Sequence, residues 1–149
     1  MNTNEHGFKH QEVTRKIIGI FYAVYNELGH GFLESVYQDS LVIALKAEGL
    51  RVCTPVEIPV WFRGNNVGNF EGDVLVENCV LLELKAARAL DSAHQAQLLN
   101  YLRATDIEVG LLLNFGLKPE FKRLLFDNPR KAARKNAPSL IARLMRTEN

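Results

Sequence analysis

Three charged side chains lie close together in the sequence and could do chemistry: Asp73, Glu83 and Lys85. Mg²⁺ commonly binds one or two carboxylates and keeps waters and substrate phosphate oxygens as its other ligands. A lysine beside such an ion could lower the pKa of an attacking water or stabilise the charge that develops on a phosphorane. These residue types therefore predict a divalent-metal site for phosphate chemistry, provided that the fold brings them together.

A hairpin would bring them together. Residues 70–76 and 80–86 are predicted to form two strands around a tight reversal. A three-residue connection with Asn78 in the left-handed conformation places Asp73 opposite Glu83. Carboxylates in that relation have Cβ atoms about 5 Å apart, and they repel each other unless a cation lies between them.

The two faces of this hairpin differ in chemistry. One face is apolar and must belong to the core, and it carries Val74, Val76, Val80, Leu82 and Leu84. The other face is mixed, and it carries Glu71, Asp73, Glu83, Lys85, Leu75 and Leu81. A hairpin with its apolar face on the core and its mixed face in solvent fits the same pattern, and Glu83 and Lys85 would then be surface charges. The spacing alone leaves both alternatives open.

Two helices are predicted before the hairpin. Apolar residues at helical spacing indicate a first helix over roughly 12–28, which Gly29-His30-Gly31 ends. A second apolar stripe runs over 33–49 and places Glu34 in the first helical turn. Over 52–62 the period changes to two, which predicts a strand that enters a hairpin.

A further helix is predicted to begin at Asp91 or Ser92, and its two sides differ. One side is apolar and carries Ala93, Ala96, Leu99 and Leu102. The other side is more polar and carries His94, Gln97 and Tyr101. The apolar run EVGLLLNFG then predicts a strand covered on both faces, reached by a right-handed parallel crossover. The predicted core order is therefore α, β, β, β, α, β, an α/β fold.

The length of 149 residues fits one hydrophobic core, and we expect one domain over 1–126. Its last segment, 119–126, is predicted to be a short helix. Residues 127–149 are predicted to be a basic, helical extension packed on the same domain. The net charge is −5 over 1–116 and +6 over 117–149, so the basic end is the obvious attractor for phosphate.

The composition also bears on location. The first dozen residues are polar, and no apolar run reaches membrane-spanning length. Cys53 and Cys79 form neither a CxxC pair nor a disulfide framework, and both are expected to be buried, reduced thiols. We therefore expect a cytoplasmic protein without membrane contact.

Four motifs, in this order, resemble a known family. GHGFLESVY carries a G-x-x-E-x-x-Y pattern at Gly31, Glu34 and Tyr37, and EGDVLVENCVLLELKA, HQAQLLNYLRAT and VGLLLNFG follow it. Together they span roughly 13–126 and are similar to the GxxExxY family of the PD-(D/E)XK nuclease superfamily. The resemblance implies a restriction-endonuclease-like αβββαβ core, with a mixed sheet flanked by helices.

The resemblance also implies roles for the site residues. Asp73 and Glu83 would bind Mg²⁺ or Mn²⁺, and the Leu84 carbonyl would complete the metal site. Lys85 would assist the nucleophile. Glu34 would arrive from the N-terminal helix as a further metal-binding carboxylate.

Other positions match or depart from the family pattern. Gln97 and Tyr101 match the Q-x-x-x-Y element of RecB-type nucleases, in which this helix borders the active site and the DNA. Gly72 replaces the proline of the superfamily's founding motif, and Glu71 adds a negative charge beside Asp73.

Simpler structural roles fit several of these residues. Glu34 could favour the positive end of its helix, and Tyr37 could be a packed core aromatic. Gln97 and Tyr101 could form a pair on the helix surface. His94 could be a helix-face residue, with metal ligand or proton shuttle as the functional alternative.

The expected function is Mg²⁺- or Mn²⁺-dependent hydrolysis of nucleic acid by a metal-activated water. DNA is expected as the substrate in preference to RNA. The first alternative is a catalytically weak nuclease-like fold that serves as a nucleic-acid or protein binding module, which an acidic domain suits. The second alternative is hydrolysis of small phosphorylated metabolites. A homodimer would fit by analogy with small nucleases of this fold.

Overall fold

The structure of the protein, a computed structural model, describes residues 10–127. Helices in this range are α1 (Gln11–Leu28), α2 (Glu34–Ala47) and α3 (Ser92–Ala104). Strands are β1 (Val52–Cys53), β2 (Val56–Phe62), β3 (Asn65–Gly72), β4 (Val74–Val76), β5 (Val80–Lys85), β6 (Val109–Phe115) and β7 (Pro119–Leu125). The first two helices agree with the predicted ones.

A five-stranded sheet of order β1-β4-β5-β6-β7 forms the centre, and β2 and β3 form a separate two-stranded ribbon. β5 and β6 run parallel, whereas the other neighbouring strands run antiparallel. The parallel pair is connected through α3, as the strand, helix, strand order predicts. This mixed α/β architecture agrees with the predicted restriction-endonuclease-like αβββαβ core.

Apolar side chains cover both faces of the sheet. The first core packs α1 and α2 on one face and includes Phe21, Tyr37, Val74, Leu82 and Leu84. The second core packs α3 and the ribbon on the other face and includes Ile58, Leu75, Leu81, Leu98 and Leu112. The mixed face of the hairpin is therefore turned toward a second interior.

Two predicted strands are divided because the chain changes sheets. The predicted strand over 52–62 is interrupted at Thr54-Pro55, where β1 leaves the sheet and β2 begins the ribbon. A proline has no N–H to give to a ladder, which accounts for this break. The predicted strand over 70–76 is interrupted at Asp73, between β3 of the ribbon and β4 of the sheet.

The predicted short helix over 119–126 is wrong, because this segment forms β7 antiparallel to β6. Pro119 is the first residue of an edge strand, a position that tolerates proline. It pairs with Phe115 across a three-residue turn, and the ladder continues to Val109 and Leu125. Pairing with the buried strand β6 outweighs the local helical pattern.

The orientation of α3 also differs from the prediction. Leu98 and Tyr101 are buried, whereas Ala93 and Ala96, predicted on the apolar side, are exposed. A Cβ added at Gly110 of β6 would lie 3.0 Å from Leu98. Leu98 therefore occupies the space that this glycine leaves, and α3 turns the side that carries Leu98 toward the sheet.

Two further predictions concern the cysteines and the basic end of the chain. Cys53 and Cys79, predicted to be buried, are half-buried. The predicted basic extension over 127–149 lies, apart from Asp127, outside the described residues. No helix between residues 10 and 127 is both long and apolar enough to cross a membrane.

Tyr37 connects the turn between α1 and α2 to the core. Its ring is fully buried and stacks on Phe115 with 4.3 Å between the ring centroids. Its hydroxyl donates to the Gly29 carbonyl and accepts from the Phe32 N–H. Tyr37 is therefore a packed core aromatic that fixes the turn preceding Glu34.

The substitution Tyr37→Phe should lower the free energy of unfolding by about 1–3 kcal/mol, because it removes two hydrogen bonds that satisfy backbone groups. Tyr22→Phe is a matched control, since Tyr22 is exposed and its hydroxyl makes no hydrogen bond within residues 10–127. Equilibrium urea denaturation measures both variants. Equal midpoints for Tyr37→Phe and the wild type would contradict this role of the hydroxyl.

Candidate active site

Two hydrogen bonds connect Asp73 to neighbouring residues of β5, Glu83 and Leu84. The Asp73 N–H donates to Glu83 Oε2 at 2.8 Å, and the Leu84 N–H donates to Asp73 Oδ2 at 2.7 Å. The predicted register is present, because Val76 pairs with Val80 in the ladder between β4 and β5. The structure therefore brings the two carboxylates together on one face of the hairpin.

Glu83 is almost completely buried, with 4% of its surface exposed. On the same face of the sheet, Leu75 and Leu81 belong to the second core. Lys85 is half-buried and lies two residues further along β5, on the same side as Glu83. A surface hairpin would leave Glu83 in water, so the alternative of solvent-facing charges does not hold for this residue.

Burial and repulsion change the ionisation of both acids. Burial is the largest influence on Glu83 and the charge of Asp73 the next, and the pKa of Glu83 is raised to about 8. Burial likewise raises the pKa of Asp73, although the hydrogen bond from Leu84 opposes the change. Without a cation nearby, the Glu83 carboxyl therefore retains its proton at neutral pH.

Glu34 acts on this pair from the first turn of α2. Its side chain is exposed, and its negative charge contributes to the raised pKa of both Asp73 and Glu83. Within residues 10–127, no three His, Cys, Asp or Glu side chains are grouped closely enough to hold a metal ion. Glu34 thus influences the pair by its charge without forming a three-carboxylate cluster with it.

Lys85 is held by side chains of α3. Lys85 Nζ donates to Gln97 Oε1 at 3.1 Å, and Gln97 Nε2 donates to the Tyr101 hydroxyl at 3.2 Å. Burial raises the pKa of Tyr101, and the charge of Glu83 raises it further. Gln97 and Tyr101 therefore form a hydrogen-bonded chain that ends on Lys85, so they are more than a pair on the helix surface.

Asn114 is a supporting residue that the sequence patterns did not single out. It is fully buried in β6, where its side chain accepts from the Ala87 N–H at 2.9 Å and donates to the Ala87 carbonyl at 3.0 Å. A Cβ added at Gly116 would lie only 2.5 Å from that carbonyl. Together they fix the chain just after Lys85, and the one polar residue inside the apolar run VGLLLNF was the available signal.

Gly72, the position that departs from the founding motif, has little space around it. A Cβ there would lie 3.0 Å from Ile58, 3.1 Å from Leu81 and 3.5 Å from Glu83 Oε2. A larger residue would press on the second core and on the carboxylate. Glu71, the other departure, is exposed, and its charge is the weakest of the influences that raise the pKa of Asp73.

His94 has a structural role at the start of α3. The Asp91 side chain accepts from the N–H groups of Ala93 and His94, and His94 Nδ1 accepts from the Asp91 N–H. This reciprocal pattern is a capping box, which satisfies backbone donors at a helix start. His94 is therefore a helix-capping residue.

The mixed sheet, with helices on both faces and Asp, Glu and Lys on one hairpin, defines a nuclease-like class of protein. The family model of the PD-(D/E)XK nuclease superfamily matches residues 11–124, and the chain belongs to this superfamily. Nucleases of the superfamily generally use divalent metals such as Mg²⁺ or Mn²⁺. None of the curated proteins and none of the solved structures compared with the chain matches it.

The raised pKa of Glu83 predicts how the stability of the metal-free protein depends on pH. The folded state keeps this proton up to about pH 8, whereas an unfolded chain releases it near 4.5. The stability that the Glu83 proton contributes is fully present below pH 4.5 and is lost as the pH rises through about 8. In EDTA, the free energy of unfolding should fall by on the order of 2–4 kcal/mol over this window.

Glu83→Gln should remove most of this pH dependence, because glutamine can still accept from Asp73 but does not titrate. Glu77→Gln is the control on the same hairpin, since a hydrogen bond from the Arg51 backbone lowers the pKa of Glu77 and keeps its titration below the window. Denaturation at several pH values between 5 and 8 measures the difference. A Glu83→Gln profile parallel to that of the wild type would show that folded Glu83 is already ionised.

Proposed function

We propose that this protein is a metal-dependent nuclease that hydrolyses phosphodiester bonds of nucleic acid, with DNA as its principal substrate. The main support is the pair of adjacent carboxylates, Asp73 and Glu83, on a largely buried face beside Lys85. Two anions are costly to bury side by side, and a divalent cation would compensate that cost. Within the superfamily, the G-x-x-E-x-x-Y pattern supports assignment to the GxxExxY family.

The donor set suits Mg²⁺ or Mn²⁺. Each carboxylate uses one oxygen to accept a backbone N–H, and within the described residues its other oxygen makes no hydrogen bond. Mg²⁺ needs only one or two carboxylates because it keeps several waters. We assign Asp73, Glu83 and the Leu84 carbonyl as ligands, with Glu34 as a further carboxylate that acts through a metal-bound water.

The chain's own residues position the reactants. When bound, the cation supplies a Lewis acid that polarises the phosphate and lowers the pKa of a water. Lys85 donates to a phosphoryl oxygen and stabilises the negative charge that develops during attack. Gln97 and Tyr101 orient the Lys85 ammonium group through their hydrogen bonds. The oxygen of a water bonds to the phosphorus while the ester P–O bond to the leaving nucleotide breaks; the water gives up a proton and the leaving oxygen takes one up, so no covalent intermediate with the protein is required.

A nuclease-like binding module without catalysis is the second candidate. The observation that favours it is the net charge of −5 over residues 1–116, which opposes the approach of a polyanion. Such a module would bind nucleic acid or protein equally well with or without a divalent cation. A cleavage assay therefore separates the two candidates.

Purified protein should cleave DNA in Mg²⁺ or Mn²⁺ but not in EDTA. Asp73→Asn and Glu83→Gln should each slow cleavage by about 100-fold or more, because each removes a charged ligand, and Lys85→Met should lower turnover to a similar extent. Glu71→Gln is the matched control, since Glu71 is an exposed carboxylate of the same segment. Gel assays with end-labelled single- and double-stranded DNA and RNA give the rates. Wild-type rates in the ligand variants, or cleavage in EDTA, would refute the proposal.

Glu34→Gln should weaken Mn²⁺ binding several-fold, by on the order of 1 kcal/mol, because it removes a negative charge near the cation. Titration calorimetry measures the affinity. Glu27→Gln, an exposed carboxylate near the end of α1, is the control and should bind like the wild type. Equal affinity of the Glu34→Gln and wild-type proteins, with the same pH profile of stability, would reduce Glu34 to a helix-start residue.

A further inference from the structure

A pocket of about 660 Å³ lies between the ribbon and α3, beside the candidate active site. Three aromatic residues, Trp61, Phe70 and Tyr101, contribute to its lining. Its volume falls within the range of roughly 300–1,000 Å³ that is common for small-molecule sites. The pocket is therefore large enough for a planar aromatic group with an attached sugar.

The ribbon and α3 are both shaped to leave this space open. The β2–β3 pairing shifts register between Val60 and Trp61, and both of these neighbouring residues line the pocket. The residue without a partner in this ladder is Val67 of β3, and such a bulge increases the local twist of the ribbon beside the pocket. On the other wall, the exposed Ala93 and Ala96 of α3 have side chains too small to fill it.

Two of the aromatic rings that line the pocket lie against each other. Phe70 and Tyr101 lie 6.2 Å apart between centroids, with their planes at 40°. Phe70 remains 52% exposed, although it lies against this apolar pocket. Base stacking on aromatic side chains is a common means of binding single-stranded nucleic acid.

Polar groups of α3 line one edge of the same pocket. Gln97, Asn100 and Arg103 follow each other at intervals of three residues, and they therefore lie near one another on the helix surface. Arg103 Nη1 donates to Asn100 Oδ1 at 3.0 Å, which fixes the positive group beside the pocket. Amides can recognise base edges, and the guanidinium can attract a phosphate.

The pocket is continuous with the candidate active site through shared residues. Gln97 lines the pocket and also accepts the hydrogen bond from Lys85. Tyr101 contributes its ring to the pocket, and its pKa responds to the charges of Glu83 and Asp73. An occupant of the pocket would therefore lie next to a phosphate held by Lys85.

We propose that this pocket binds the base of an unpaired nucleotide next to the scissile phosphate, so that the substrate is single-stranded nucleic acid. The inference rests on the proposed nuclease function and names its substrate class. Bases of an intact duplex are stacked on their neighbours and cannot enter the pocket without first being flipped out, which costs free energy. The aromatic lining and the adjoining arginine favour this occupant over a purely apolar ligand.

Trp61 is the only tryptophan of the chain, so its fluorescence reports on this pocket alone. The full chain in EDTA, where cleavage cannot occur, should show quenching when titrated with a single-stranded oligonucleotide. A duplex of the same sequence, and a strand made abasic throughout, should each bind at least about 10-fold more weakly than the intact single strand. Equal quenching by the intact and abasic strands, or no quenching at all, would overturn the proposal.

Phe70→Ala should weaken binding of the single strand by about 5- to 100-fold and leave binding of the abasic strand unchanged. Phe62→Ala is the matched control: Phe62 has a similar exposure of 55%, belongs to the same ribbon and does not line the pocket. Equal losses for both variants would overturn the assignment to this pocket. So would a Trp61 signal that depends on protein concentration, because a second copy of the chain would then occupy the pocket.

The cleavage assay distinguishes failure of this inference from failure of the proposed function. Base-dependent quenching without metal-dependent cleavage would support the pocket and refute the nuclease. Metal-dependent cleavage of duplex and single strands at equal rates, with Trp61 fluorescence unchanged, would support the nuclease and overturn the pocket.

Discussion

The hydrogen bond from the Asp73 N–H to the Glu83 carboxylate is the constraint on which the site depends. The chain leaves the ribbon at Gly72 and enters the sheet at Val74, so the Asp73 N–H lies outside both strands and donates to Glu83 Oε2. This bond holds the crossing in place, but it requires a buried carboxylate beside a second one. The contact that closes the fold therefore creates an electrostatic cost, which a proton or a bound cation removes.

Uncharged residues keep this costly arrangement in its shape. Gly72 leaves room for side chains of the second core, and Asn114 holds the chain after Lys85 by two hydrogen bonds to one backbone unit. Neither contact neutralises the carboxylates. Packing thus fixes the geometry of the site, while its charge stays available to a ligand. Proteins commonly give up stability for function at sites that hold preorganised charges of this kind.

Local patterns predict much of this fold, because helix caps, apolar spacing and hairpin turns act over a few residues. They give α1, α2, the start of α3 and the register that brings Asp73 to Glu83, although Glu77 adopts positive φ as well as Asn78. The errors involve partners distant in sequence. Residues 119–126 become a strand only because β6 is available for pairing. The contacts of Asn114 likewise depend on a loop that precedes α3, and no local pattern reports them.

Gln97 belongs to both the site and the pocket, so the two cannot act independently. Its amide accepts from Lys85 and donates to Tyr101, whose ring lines the pocket. Under the proposed function, a base seated against Tyr101 restricts this amide and, through it, the position of the Lys85 ammonium group. A duplex phosphate that leaves the pocket empty lacks that restraint. Recognition of an unpaired base and orientation of the Lys85 ammonium group would then arise from one hydrogen-bonded chain. Correct positioning of reacting groups is itself a large part of catalysis.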